Sequence, residues 1–151
     1  MNHERRTLLK SASALGILAT LGLVSHSAAL AAESPAGFDA KNFADALKAI
    51  GGTPVESRGI NLVAPEIAEN GAVVPISVSS AIPNTQAIYL FVEKNPNPLS
   101  ASMTIFPGTD PSVLTRVKMG ESSKICAVVK ADGKLYSTSR ETKVTLGGCG
   151  G

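Results

Sequence analysis

One residue in this sequence stands where it can do covalent chemistry on something brought to it from outside. Cys149 is the third residue from the C-terminus, between Gly147-Gly148 and Gly150-Gly151, with no nearby side chain large enough to bury it. A cysteine reacts as its thiolate. An unperturbed thiol with a pKa of about 8.5 is only a few per cent ionised at neutral pH. The carboxylate of Gly151 disfavours the anion further, and no cation on the segment opposes it. Cys149 is therefore a quiet nucleophile until another protein supplies an activating charge. Glycine loses the most conformational freedom on ordering, so this stretch gains least by settling on a protein body. The sulfur can extend about 10 Å beyond Leu146 at the reach of an extended chain. The sequence thus predicts an arm over 146–151. It carries one attachment point, Cys149, with Gly147, Gly148, Gly150 and Gly151 giving flexibility and access to another protein's pocket.

The remaining composition excludes most other chemistry. Arg5-Arg6 precedes Leu8-Leu9-Lys10 and an apolar stretch from Ala14 to Val24, followed by Ala29-Leu30-Ala31. That order reads as a twin-arginine signal peptide over 1–31, too short in its apolar part to span a membrane and ending in a small-x-small cleavage site. This signal is expected to send the chain to the periplasm and to be removed from the mature protein. The 14 basic residues fall to 11 without Arg5, Arg6 and Lys10, and the 12 acidic residues fall to 11 without Glu4, so the mature chain is close to neutral. No basic run or aromatic platform points to nucleic acid. Both histidines, His3 and His26, leave with the signal. Without them there is no Ser-His-Asp or Cys-His pair and no histidine metal site, and two cysteines are too few for a thiolate zinc site or an iron–sulfur cluster. No metal and no cofactor is expected.

The elements that must position the arm form one domain over 32–145. Phe38 to Ile50 has the spacing of an amphipathic helix, with Asp39 as cap, Phe38 and Phe43 as a hydrophobic staple, Phe43, Leu47 and Ile50 on one face, and Gly51-Gly52 as its end. The period then changes to two. Short extended pieces cover Ile60 to Val63 and Pro65 to Ala68, and Asn70-Gly71 has the chemistry of a tight hairpin turn. A strand over Ala72 to Val78 contains Pro75, which suggests an edge or a bulge. Gln86 to Val92 is apolar on both faces, so it needs cover on both: the core on one side, and on the other either the helix or another subunit. Further strands follow over Ala101 to Phe106, around Val113 to Met119 with Arg116 and Lys118 outward, and over Ser123 to Lys130 and Lys134 to Thr138 across Asp132-Gly133. A last one ends at Val144 and Leu146. About seven short strands with turns every eight to twelve residues make an all-β, immunoglobulin-like β-sandwich with one short N-terminal helix. Arg116 and Lys118 read either as a solvated strand face or as a means of steering an anion. Cys126 lies in the apolar run Ile125 to Val129 and reads as a buried free thiol, with a Cys126–Cys149 disulfide as the competing possibility.

The twin-arginine signal, Glu69-Asn70-Gly71-Ala72-Val73-Val74-Pro75, Glu93-Lys94-Asn95-Pro96-Asn97-Pro98-Leu99 and the terminal Gly147-Gly148-Cys149-Gly150-Gly151 together resemble the SoxY family, subunits of the SoxYZ carrier of periplasmic sulfur oxidation. The resemblance implies an immunoglobulin-like domain paired with a SoxZ-like small β-sandwich subunit. It implies sulfur intermediates carried covalently on Cys149. A haem c enzyme that loads thiosulfate, a sulfohydrolase and a sulfane dehydrogenase would be transient partners. Such a chain is a carrier acted on by enzymes, not an enzyme. The residues leave two other classes open: a structural or adhesive exported β-sandwich, and a small thiol–disulfide redox protein. The latter lacks the usual Cys-x-x-Cys.

Overall fold

The computed structural model describes residues 36–145. The expected signal peptide, together with Leu146, Gly147, Gly148, Cys149, Gly150 and Gly151, lies outside the described residues.

The helix α1 runs from Phe43 to Ile50, shorter than the periodicity suggests. Its cap is Asn42, not Asp39. Asn42 is extended and its side-chain oxygen accepts the Asp45 backbone N–H at 2.9 Å, while its amide donates to the Asp45 carboxylate at 2.7 Å. This reciprocal arrangement satisfies a free N–H of the first turn. The Asn42 amide, and then Lys48, hold the Asp45 carboxyl below its ordinary range. With the cap at Asn42, Phe38 and Phe43 no longer occupy staple positions, but both pack on one apolar cluster. Gly51, at φ 131°, closes the helix by donating to the Leu47 and Lys48 carbonyls.

Among the described residues nine strands follow: β1 Val55–Glu56, β2 Ile60–Val63, β3 Ile67–Ala68, β4 Val74–Ser80, β5 Thr85–Val92, β6 Leu99–Thr104, β7 Ser112–Val117, β8 Ser123–Ala131 and β9 Lys134–Val144. They form an all-β sandwich. The larger sheet has the order β1-β9-β8-β5-β6, with β3 also on β9, and the smaller has the order β2-β4-β7. The excess over seven strands comes from β1 and β3, two-residue pieces that pair parallel with β9. The last strand is one continuous β9, antiparallel to β8 across a two-residue loop in which Asp132 and Gly133 have φ of 49° and 73°. Both central residues at positive φ are what the right-handed twist of a tight hairpin asks for.

Asn70-Gly71 makes a turn but not a hairpin. It carries the chain from β3 in the larger sheet to β4 in the smaller one, with the Asn70 side chain accepting the Ala72 N–H at 2.9 Å. Pro75 is not on an edge strand, because β4 lies between β2 and β7. Its missing N–H is tolerated there because β2 pairs only with Ser77 to Ser80, so at Pro75 the strand has a single neighbour, β7.

Two clusters hold the layers together. Ile60, Leu62, Val74, Ile76 and Val78 meet Ile88, Leu90, Val92, Ile125, Ala127 and Val129 between the sheets. On the far side of the larger sheet, Ala46 and Ile50 of α1 cover Phe91, Leu99, Cys126, Val128 and Leu135. The Phe43 ring meets Phe91 edge to face at 5.4 Å and 88°. The second face of β5 is therefore covered by the protein's own helix. Phe91 has no exposed surface left for a subunit.

Candidate functional site

The candidate attachment residue, Cys149, and its glycines lie outside the described residues, but the point from which they leave is well held. Val144 pairs with Ala68 of β3, the Thr145 N–H donates to the Ala68 carbonyl at 3.1 Å, and the Val144 N–H donates to Ser122 Oγ at 2.9 Å. Four peptide steps lead from Thr145 to Cys149. Extended, they span about 14 Å.

Three connections converge on this end of the sandwich. The first is the Glu69 to Val73 turn, whose Gly71 carbonyl accepts the Met119 N–H at 2.7 Å. A Cβ on Gly71 would stand 2.5 Å from the Met119 carbonyl oxygen and 2.9 Å from Val144 Cγ1, so only glycine fits between the two. The second is the Glu93 to Pro98 loop. Its Asn95 amide donates to the Lys118 carbonyl at 2.7 Å and its oxygen accepts the Gly120 N–H at 3.2 Å. Asn97 donates to the Phe38 carbonyl at 2.7 Å, joining the segment ahead of α1 to the same loop. The third is the Lys118 to Ser122 connection that receives these bonds. The two internal motifs noted in the sequence, far apart in the chain, therefore sit together at the root of the C-terminal segment. Periodicity could not reveal this, because the bonds that join them are tertiary.

Cys126 is a free, buried thiol beneath α1. Burial, with a smaller contribution from the Glu93 carboxylate, pushes its pKa up to about 12. It stays protonated and inert in the folded protein. It pairs with Ser139 across the hairpin, six residues before Thr145, a separation of roughly 20 Å along the strand. A disulfide tolerates Cα atoms about 4.4–6.8 Å apart. To bridge to Cys126, the C-terminal segment would have to run back fully stretched and displace α1, so geometry favours the free thiol over the bridge.

Arg116 and Lys118 are exposed and point outward. Among the described residues no group of three or more His, Cys, Asp or Glu could hold a metal ion. No described helix is long and apolar enough to cross a membrane.

These features define a helix-covered β-sandwich in which Cys126 is chemically silent and the other cysteine lies beyond a firmly anchored root. The family model described as "Sulfur oxidation protein SoxY" matches residues 46–149, and the chain belongs to the SoxY family. Among solved structures, the chain is similar to the sulfur carrier protein SoxY from Chlorobium limicola f thiosulfatophilum, with 43% identity and a TM-score of 0.62 over 68% of this chain and 94% of that one. The human F-spondin reeler domain matches at 10% identity and a TM-score of 0.37, over 60% of this chain and 95% of that one. No curated protein matches the chain.

Proposed function

We propose that the protein is a covalent carrier in sulfur oxidation, with thiosulfate-derived sulfur intermediates bound through Cys149 and presented to successive enzymes. The observation that carries this reading is the extent of the family match, which runs to residue 149 and so takes in the cysteine itself. The neighbour from Chlorobium is described as a sulfur carrier protein, which supports the same role here. Residues 146–151 act as the swinging arm. The glycines admit Cys149 to narrow pockets, and its unactivated thiol leaves loading and release under the enzymes' control. The chain itself is not an enzyme. A SoxZ-like small β-sandwich subunit completes the carrier, and a haem c loading enzyme, a sulfohydrolase and a sulfane dehydrogenase visit it. The twin-arginine signal expected over 1–31 supports a periplasmic location for this work.

The test is the intact mass of the protein from cells oxidising thiosulfate, compared with Cys149→Ser. The wild-type protein should carry additions in steps of sulfur or sulfonate, and the variant none. Cys149→Ser should still pair with its partner subunit, yet thiosulfate-dependent respiration should stop. Respiration at the normal rate in the variant would refute the carrier role.

A further inference from the structure

We infer that the outer face of the β2-β4-β7 sheet is where the partner β-sandwich subunit docks, and that the partner meets it with an apolar patch carrying a carboxylate for Arg116. The inference rests on the heterodimer reading above and adds its location.

The second face of β5 could have been covered by the helix or by another subunit, and α1 fills that place: Phe91 and Val128 are 0% exposed and Leu99 is 2% exposed. The rest of that sheet's outer face carries charges, with Lys124 and Lys130 on β8 and Glu141 on β9. Such a face is satisfied by water. The smaller sheet differs. Its inward positions, Ile60, Leu62, Val74, Ile76, Val78 and Val117, are buried in the core. Strand alternation therefore turns Val63, Pro75, Ser77, Leu114 and Arg116 outward. Register aligns Val63, Ser77 and Leu114 in one row across all three strands, with Pro75 opposite Arg116 in the next.

Leu114 is 82% exposed and Val63 is 54% exposed. Leu114 and Arg116 line a groove with Pro75 and Thr115. The small serines between the apolar residues keep the face flat, so a second sheet can approach closely. Arg116 is the one charge on the outward strand positions of this sheet, and none of them is a carboxylate. The core of a subunit interface is more apolar than the rest of a surface, enriched in arginine and depleted of carboxylates. A guanidinium buried there needs a counter-charge, so charge complementarity selects a partner that brings an acid. A second copy of this face would instead bring Arg116 again, with no carboxylate to pair it.

The test is co-expression of the full chain with its small β-sandwich subunit, followed by sedimentation of the purified complex. Leu114→Lys and Arg116→Glu should each weaken association at least tenfold. Ile67→Lys, at an exposed apolar position on β3 of the larger sheet, should leave it unchanged. Leu114 is too exposed for its substitution to unfold the domain, and unchanged thermal unfolding of the isolated variant checks this. A wild-type complex that forms while Leu114→Lys and Arg116→Glu bind as tightly would overturn the location and leave the heterodimer standing. Failure of the wild-type chain to pair at all would overturn both. A homodimer broken by Leu114→Lys would show that a second copy is the occupant, against the inference.

Discussion

Gly71→Ala tests how the root of the C-terminal segment is built. The added methyl carbon would lie 2.5 Å from the Met119 carbonyl oxygen and 2.9 Å from Val144 Cγ1. Gly71 is not at positive φ, so the cost is steric rather than conformational. The nearer obstacle is backbone and cannot rotate away. Relief requires the Glu69 to Val73 turn to withdraw from the Lys118 to Ser122 connection, stretching the 2.7 Å bond from the Met119 N–H to the Gly71 carbonyl. Overpacking of this kind costs about 1–3 kcal/mol and a weakened hydrogen bond about 1 kcal/mol, so ~2–3 kcal/mol is expected in all. In a domain of this size that lowers the Tm by roughly 10 °C. The assay is urea unfolding of Gly71→Ala beside Gly120→Ala, whose Cβ meets nothing within 4 Å. Gly120→Ala should be neutral or gain up to about 1 kcal/mol, since alanine only restricts the unfolded chain. Equal midpoints for Gly71→Ala and wild type would refute the close-approach argument.

Asn42→Ala removes the α1 cap and should cost about 1 kcal/mol. Because α1 covers Phe91, circular dichroism should show the loss as reduced stability of the whole domain rather than fraying of the helix alone. Cys126 should resist alkylation at pH 8 in the native protein and react in denaturant, as peptide mapping would show. Its folded pKa of about 12 lies above the ordinary value of 9.0. The unfolded chain therefore releases this proton first, and stability should fall as pH rises from about 9 toward 12, by up to ~1.4 kcal/mol per pH unit, and fall less in Cys126→Ala. Gly148→Val with Gly150→Val adds bulk beside Cys149 without altering the thiol. Alkylation by a small reagent should persist while enzymatic loading measured by intact mass drops; normal loading would refute a slender arm as the reason for the glycines.

Local signals sufficed wherever the determining contacts are local. The Asp132-Gly133 hairpin, the alternation of β7 and the Gly51 stop each depend on a few neighbouring residues. The burial of Cys126 follows from the apolar run around it, and the family was legible because its motifs are contiguous stretches of chain. Asn42 displaced Asp39 as cap because Asp45 lies three residues on and answers it, a choice between adjacent polar residues that periodicity does not rank. Tertiary structure decided which surface covers which. An apolar strand face states only that it must leave water, and α1 and another subunit satisfy that requirement equally until packing brings Phe43 onto Phe91. The same holds for Asn70-Gly71, whose turn chemistry is local but whose exit into the second sheet is set by the bond between Gly71 and Met119. The gathering of both internal motifs around Thr145 is likewise a product of hydrogen bonds between residues far apart in sequence. Hydrophobic burial is non-directional, so the sequence specified what had to be covered, while shape and hydrogen-bond geometry in the folded chain selected the cover.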